Sequence, residues 1–271
     1  MLAALVIVFR EVMEAGLIIA VILAACRGEY VPKYIVLAGI LTGVGGAIIL
    51  ALFTVHLESM LDGRGLEIFS ISIMLLTVLM LSWQVLWMSG YGKRYASSCY
   101  CETERLLTQS GYYSIAILVA LTVLREGAEV VLFLYSLSLT STGRVDAGIL
   151  PGGIAGLLLG GLVSWGVYSG LVLISLRTFF AASNFLLIFI AAGLASQAAG
   201  ILASMDMLPA LGWQLWDTSS LLPDNSWAGT LAHTILGYTA TPSGIQICAW
   251  LLVFVGIISL RFYLLHRGCI H

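Results

Sequence analysis

The chain has 271 residues, 60% of them hydrophobic and 10% charged, with a mean hydropathy of +1.04 and a formal net charge of −2. Soluble domains carry roughly a quarter charged residues, so these numbers argue against a water-soluble enzyme and against a disordered chain. Twelve Lys and Arg against fourteen Asp and Glu, with no basic block, also speak against a nucleic-acid partner. What remains is an all-α polytopic membrane protein in a lipid bilayer, and 29 glycines suit membrane helices that approach closely.

A helical span needs about 20 mostly apolar residues. In chain order, long runs without alternation predict helices over Leu2–Ala25, Tyr34–Val55, Glu67–Met88, Tyr113–Leu137, Gly152–Ile174, Ser183–Ser204 and Ile245–Leu265. No basic residue precedes the first apolar run, so Met1–Phe9 reads as part of a membrane helix and not as a cleaved signal. Two connections are long, 89–112 and 205–244. The first holds Cys99 and Cys101, a C-x-C too weak by itself to define a metal site.

Loop charges set the orientation. Arg27, Lys33, Lys93, Arg94, Arg105, Arg177, Arg261 and Arg267 fall on the side of the C-terminus, and only Arg64 and Arg144 on the other. The C-terminus is therefore expected in the cytoplasm and the N-terminus outside, with the acidic 205–244 segment, which holds Asp206, Asp217 and Asp224, facing outward.

Arg10 and Arg125 lie inside predicted spans. Each begins an R-E-x-x-E motif: Arg10, Glu11, Glu14 and Arg125, Glu126, Glu129. After each motif come a proline, Pro32 or Pro151, a glycine-rich helix and a third helix. A three-helix unit repeated after three helices is inserted upside down, the plan of many secondary transporters. The expected organisation is a first repeat with its cytoplasmic loop (1–112), a second, inverted repeat (113–204), an external acidic and aromatic loop (205–244), and a seventh helix with a cytoplasmic tail (245–271).

Within each motif the three charged residues share one helix sector. A charge at the bilayer centre costs about 2.5–3.5 kcal/mol on insertion scales, so six charges must face protein or a watery path and pair with one another. Four carboxylates with two guanidinium groups suit a hard cation such as iron, magnesium or manganese. The candidate metal residues are Glu11, Glu14, Glu126 and Glu129, with Arg10 and Arg125 balancing charge. Two alternatives stay open: an ion-pair network that only locks helices, and an intramembrane enzyme. The second is disfavoured because His56, His233, His266 and His271 all fall at helix ends or in loops. Glu58, Asp62 and Glu67, and separately Asp217, are candidates for collecting cations outside. Gln84, Asn184 and Gln197 read as interhelical hydrogen bonders.

With REVME at Arg10–Glu14 in the first helix, REGAE at Arg125–Glu129 in the fourth, and the segment from Trp216 to Ser243, the chain resembles the oxidase-dependent, high-affinity iron permeases of fungi and bacteria. Val12 and Met13 stand where many members carry glycine and another small or apolar residue. The resemblance implies a non-enzymatic permease in a bacterial inner membrane. It implies that the transported iron ion is ferric, that no resident cofactor is needed, and that a ferroxidase or periplasmic iron-delivery protein supplies it from outside. Manganese or lead as cargo, a structural or sensory role, and a homo-oligomer remain open from the residues themselves.

Overall fold

The computed structural model describes residues 2–25, 33–61, 63–86, 112–140, 148–169, 176–212, 214–220, 222, 226, 229, 232–233 and 236–268. Asp62, Pro32, Cys99, Cys101 and Asp224 lie outside the described residues. The helices are α1 (Leu2–Ala25), α2 (Lys33–Met60), α3 (Arg64–Leu86), α4 (Tyr112–Thr140), α5 (Ile149–Tyr168), α6 (Leu176–Ser204) and α7 (Gly244–Gly268), and no strand occurs among the described residues. Five of them, α2, α3, α5, α6 and α7, are long and apolar enough to cross a membrane by length and composition. The other two, α1 and α4, are equally long, and each carries the three charged residues of one motif.

Most boundaries match the apolar runs within a few residues. One consequence concerns α2, which continues to Met60 and so places Glu58 in its own last turn, not on the third helix. Another concerns Pro151. It sits in the first turn of α5, where its missing N–H leaves no helical hydrogen bond unmade.

Glycine decides how the helices meet. In α5, a Cβ on Gly156 would lie 2.5 Å from the Leu5 carbonyl oxygen, and one on Gly160 would lie 2.9 Å from the Phe9 oxygen. In α2, a Cβ on Gly39 or on Gly43 would come within 2.7 Å of the Ala116 or Ala120 oxygen of α4. Backbones in such contact gain dispersion energy that larger residues would forbid. Residue numbers advance together across both contacts, so α1 runs parallel to α5 and α2 runs parallel to α4. The registers correspond: Gly43 against Val123 and Gly127 against Ala47 in one pair, Gly156 against Val8 and Gly160 against Val12 in the other. Val12, in the place of a glycine, is thus accommodated by Gly160.

The core lies where α1, α3, α4 and α6 meet: Ala3, Ala4, Ile7, Val78, Leu81, Val85, Phe133, Leu137 and residues 187–195 of α6 form its main cluster. A hydroxyl pair ties α3 to α4, Thr77 Oγ1 to Ser136 Oγ at 2.7 Å. Thr77 already donates to the Ile73 carbonyl, so Ser136 is the donor between them.

The 205–244 segment is not simply an outside loop. A Cβ on Gly193 would lie 2.8 Å from the Gly237 nitrogen, and Gly237 itself has φ +69°. Gly193 is eleven residues from the end of α6, roughly 16 Å along its axis at 1.5 Å per residue. The chain therefore dips along α6 and α7, where Trp250 Nε1 donates to the Leu236 carbonyl at 2.8 Å. His233 descends with it and bonds Gln197 at 3.2 Å. His233, in the connection where the sequence puts it, thus packs beside α6 well inside that helix's length; a polar segment of this kind is tolerated where protein covers it.

Gly156→Ala is expected to destabilise the detergent-solubilised protein by about 1–3 kcal/mol, because the intruding atom meets backbone that cannot rotate away. Gly45→Ala, whose Cβ meets nothing within 4 Å, is expected to leave stability unchanged or slightly raised. Denaturant unfolding followed by tryptophan fluorescence distinguishes the two.

Candidate metal site

The glycine-backed contacts aim the motifs. Residues 5, 8, 9, 12 and 16 of α1 face α5, and residues 116, 119, 123 and 127 of α4 face α2. At 3.6 residues per turn, Glu14 then projects from the opposite side of α1 and Glu11 from its flank, while Glu129 turns away from α2 and Glu126 lies on the flank of α4 beside that contact. The two sides meet in the bundle. Carboxylate oxygens of Glu11, Glu126 and Glu129 all lie within 4.8 Å of one another, and all three residues are buried. One ion with metal–oxygen bonds of about 2.0–2.6 Å spans such a gap.

Glu14 does not join that cluster. Arg10, fully buried, contacts Glu11 Oε1 through Nη1 at 2.9 Å and Glu14 Oε1 through Nη2 at 2.6 Å. One guanidinium thus stands in ion-pair contact with both carboxylates of its motif, hydrogen-bonded to Glu11. Arg125 behaves differently. Its Nε reaches Glu129 Oε1 at 3.4 Å, and its side chain is 47% exposed in a cleft between α3 and α4. Leu79, Met80, Trp83, Gln84 and Ala128 line that cleft together with Arg125 and Glu129.

The carboxylate cluster is electrostatically incomplete. Glu126 Oε2 is buried with no donor on it, while the oxygens around it are acceptors when ionised. Anionic oxygens at this spacing repel, more strongly in a poorly hydrated interior than in water. A cation bound among them removes the repulsion and satisfies the orphaned oxygen.

A residue from neither motif takes part. Gln84 of α3 is buried, and its Nε2 donates to Glu11 Oε2 at 3.2 Å and to Oε1 at 3.4 Å. As a carboxamide in an otherwise apolar helix it was visible in the sequence, but its partner was not.

The candidate collecting residues are elsewhere. Glu67 is exposed in the first turn of α3, and Glu58, half-buried, faces the Tyr135 hydroxyl of α4. Asp217 is fully exposed. Its Oδ1 accepts hydrogen bonds from the Ser219 hydroxyl at 2.6 Å and the Ser219 N–H at 2.9 Å, which hold its carboxyl below its ordinary range. None of the three belongs to the buried cluster.

The Iron permease FTR1 family matches residues 1–266. The chain is similar to the ferrous iron permease EfeU of Escherichia coli O6:H1 (strain CFT073), 25% identical over 257 residues covering 92% of this chain and 91% of that one. It is also similar to the putative inactive ferrous iron permease EfeU of Escherichia coli K12, 24% identical over 255 residues with the same coverage of each chain. EfeU of Shigella flexneri is 26% identical over 193 residues, 70% of this chain and 80% of that one. No solved structure matches the chain.

Removing a fully buried guanidinium that serves two carboxylates costs about 3–5 kcal/mol because the remaining charges are stranded, whereas a pair whose guanidinium is half-exposed is partly screened by water and contributes less. Arg10→Gln is therefore expected to lower the stability of the protein far more than Arg125→Gln. Equilibrium unfolding of both variants in the same detergent measures the difference; equal losses would contradict the assigned asymmetry.

Proposed function

Because the chain belongs to the iron permease FTR1 family, we propose that it imports ferric iron through a single intramembrane station built from Glu11, Glu126 and Glu129. The observation that carries this reading is the convergence of three buried carboxylates from two helices within 4.8 Å. Hard oxygen donors suit ferric iron. Three carboxylates balance its charge, with Arg10 and Glu14 neutralising each other alongside.

The two arginines divide the work. Arg10 stays in place and keeps α1 ionised and oriented. Arg125, half-exposed and at 3.4 Å from Glu129, is the cation that iron displaces. On release it returns to Glu129, which keeps affinity moderate enough for an ion to leave as well as arrive. Glu14, held by Arg10 at the edge of the cluster, takes over a ligand position as the ion moves on.

Iron arrives at the face bearing Glu58, Glu67 and Asp217 from a ferroxidase or an iron-delivery protein outside the inner membrane. The loop-charge bias puts that face outward and the C-terminus in the cytoplasm. Two inverted three-helix repeats, α1–α3 and α4–α6, followed by α7, account for the organisation. The corresponding glycine registers of α1 with α5 and of α4 with α2 support this reading, and a site between the two motif helices is where such repeats place their cargo. A ferrous cargo is the second reading, favoured by the names of the EfeU relatives.

Proteoliposomes containing the protein are expected to take up radioactive iron supplied as a ferric chelate, and Glu126→Gln to lower that uptake by at least about tenfold with insertion unchanged. Uptake only when ascorbate keeps the iron ferrous would select the second reading. Uptake unaffected by Glu126→Gln would remove the carboxylate station.

A further inference from the structure

We propose that Gln84 is itself a ligand of the transported ion, supplying its side-chain carbonyl oxygen beside Glu11, Glu126 and Glu129. The proposal rests on the carboxylate station described above and adds to it a residue from a third helix. Gln84 stands between the motif helices: its Nε2 bonds both oxygens of Glu11, and its side chain lines the same cleft as Arg125 and Glu129. It is 5% exposed, and its Oε1 is buried with no hydrogen-bond partner.

A glutamine that served only to tie α3 to α1 would leave that oxygen unexplained, since an unsatisfied buried acceptor is costly. Rotation about the last side-chain bond exchanges N and O within one envelope. In the arrangement seen, the amide nitrogen faces Glu11 and relieves part of its charge. With an ion present, the same rotation turns the oxygen inward and moves the donor away from the cation. Amide carbonyls are ordinary ligands of hard cations. A neutral oxygen adds coordination without adding charge, so it strengthens binding without making release prohibitive.

Binding is measured directly, apart from transport, by equilibrium dialysis of the full-length detergent-solubilised protein against a ferric chelate and against manganous ion. Gln84→Leu is expected to weaken ferric binding by at least about tenfold, Gln84→Asn to weaken it less, and Gln84→Glu to restore it. Glu126→Gln serves as the reference for the station itself. Infrared difference spectra of wild-type protein labelled with carbon-13 glutamine provide a second readout that needs no stable variant. Iron loading is expected to shift one glutamine carbonyl band. Wild-type affinity in Gln84→Leu, or an unshifted band in iron-loaded protein, overturns the assignment. If binding depends on Glu126 but not on Gln84, the carboxylate station stands and only this ligand falls. If the wild type binds no ion, both fall together.

Discussion

The fold turns on one constraint: ionised groups placed in the middle of membrane-length helices have to find each other. Arg10 is fully buried and holds Glu11 and Glu14 at 2.9 and 2.6 Å. Leaving any one of these charges unpaired would cost several kcal/mol. Paired, they fix which side of α1 turns inward. The glycines of α5 then have a reason to be where they are. They let the apolar side of α1 lie almost on the neighbouring backbone, which leaves the charged side free to meet α4.

The two motifs, alike in sequence, are used differently. In the first, a buried guanidinium grips both carboxylates. In the second, Arg125 touches Glu129 at longer range and turns half its surface to a cleft. A station with one rigid and one yielding counter-charge has a natural direction of change: the weaker contact gives way first. Around Glu126 carboxylate oxygens gather closely, and Glu126 Oε2 is buried without a donor.

Depth matters for the rest of the chain as well. The polar 205–244 segment reaches Gly193 and brings His233 against Gln197. It satisfies its own backbone there, with Gly237 N–H bonded to the His233 carbonyl at 3.0 Å and His233 Nδ1 to the Tyr238 carbonyl at 2.7 Å. That internal satisfaction is what allows irregular chain below the surface of a membrane protein.

The sequence by itself determined a great deal here. Scarce charge and long apolar runs required membrane helices, and R-E-x-x-E at Arg10 and Arg125 singled out the residues around which the structure is organised. Both are statements about local free energy: an apolar run has to leave water, and a charge within it has to be compensated. Only the tertiary structure decided that Glu11, Glu126 and Glu129 share one site while Glu14 stays with Arg10, that Arg125 is half-exposed, that Gln84 faces Glu11, and that a stretch resembling an ordinary loop turns back along α6. These outcomes depend on which helix lies beside which and in what register. That is set by close fits such as Gly156 on Leu5 and Gly193 on Gly237, contacts between residues far apart in the chain whose pairing leaves no periodic trace in the sequence.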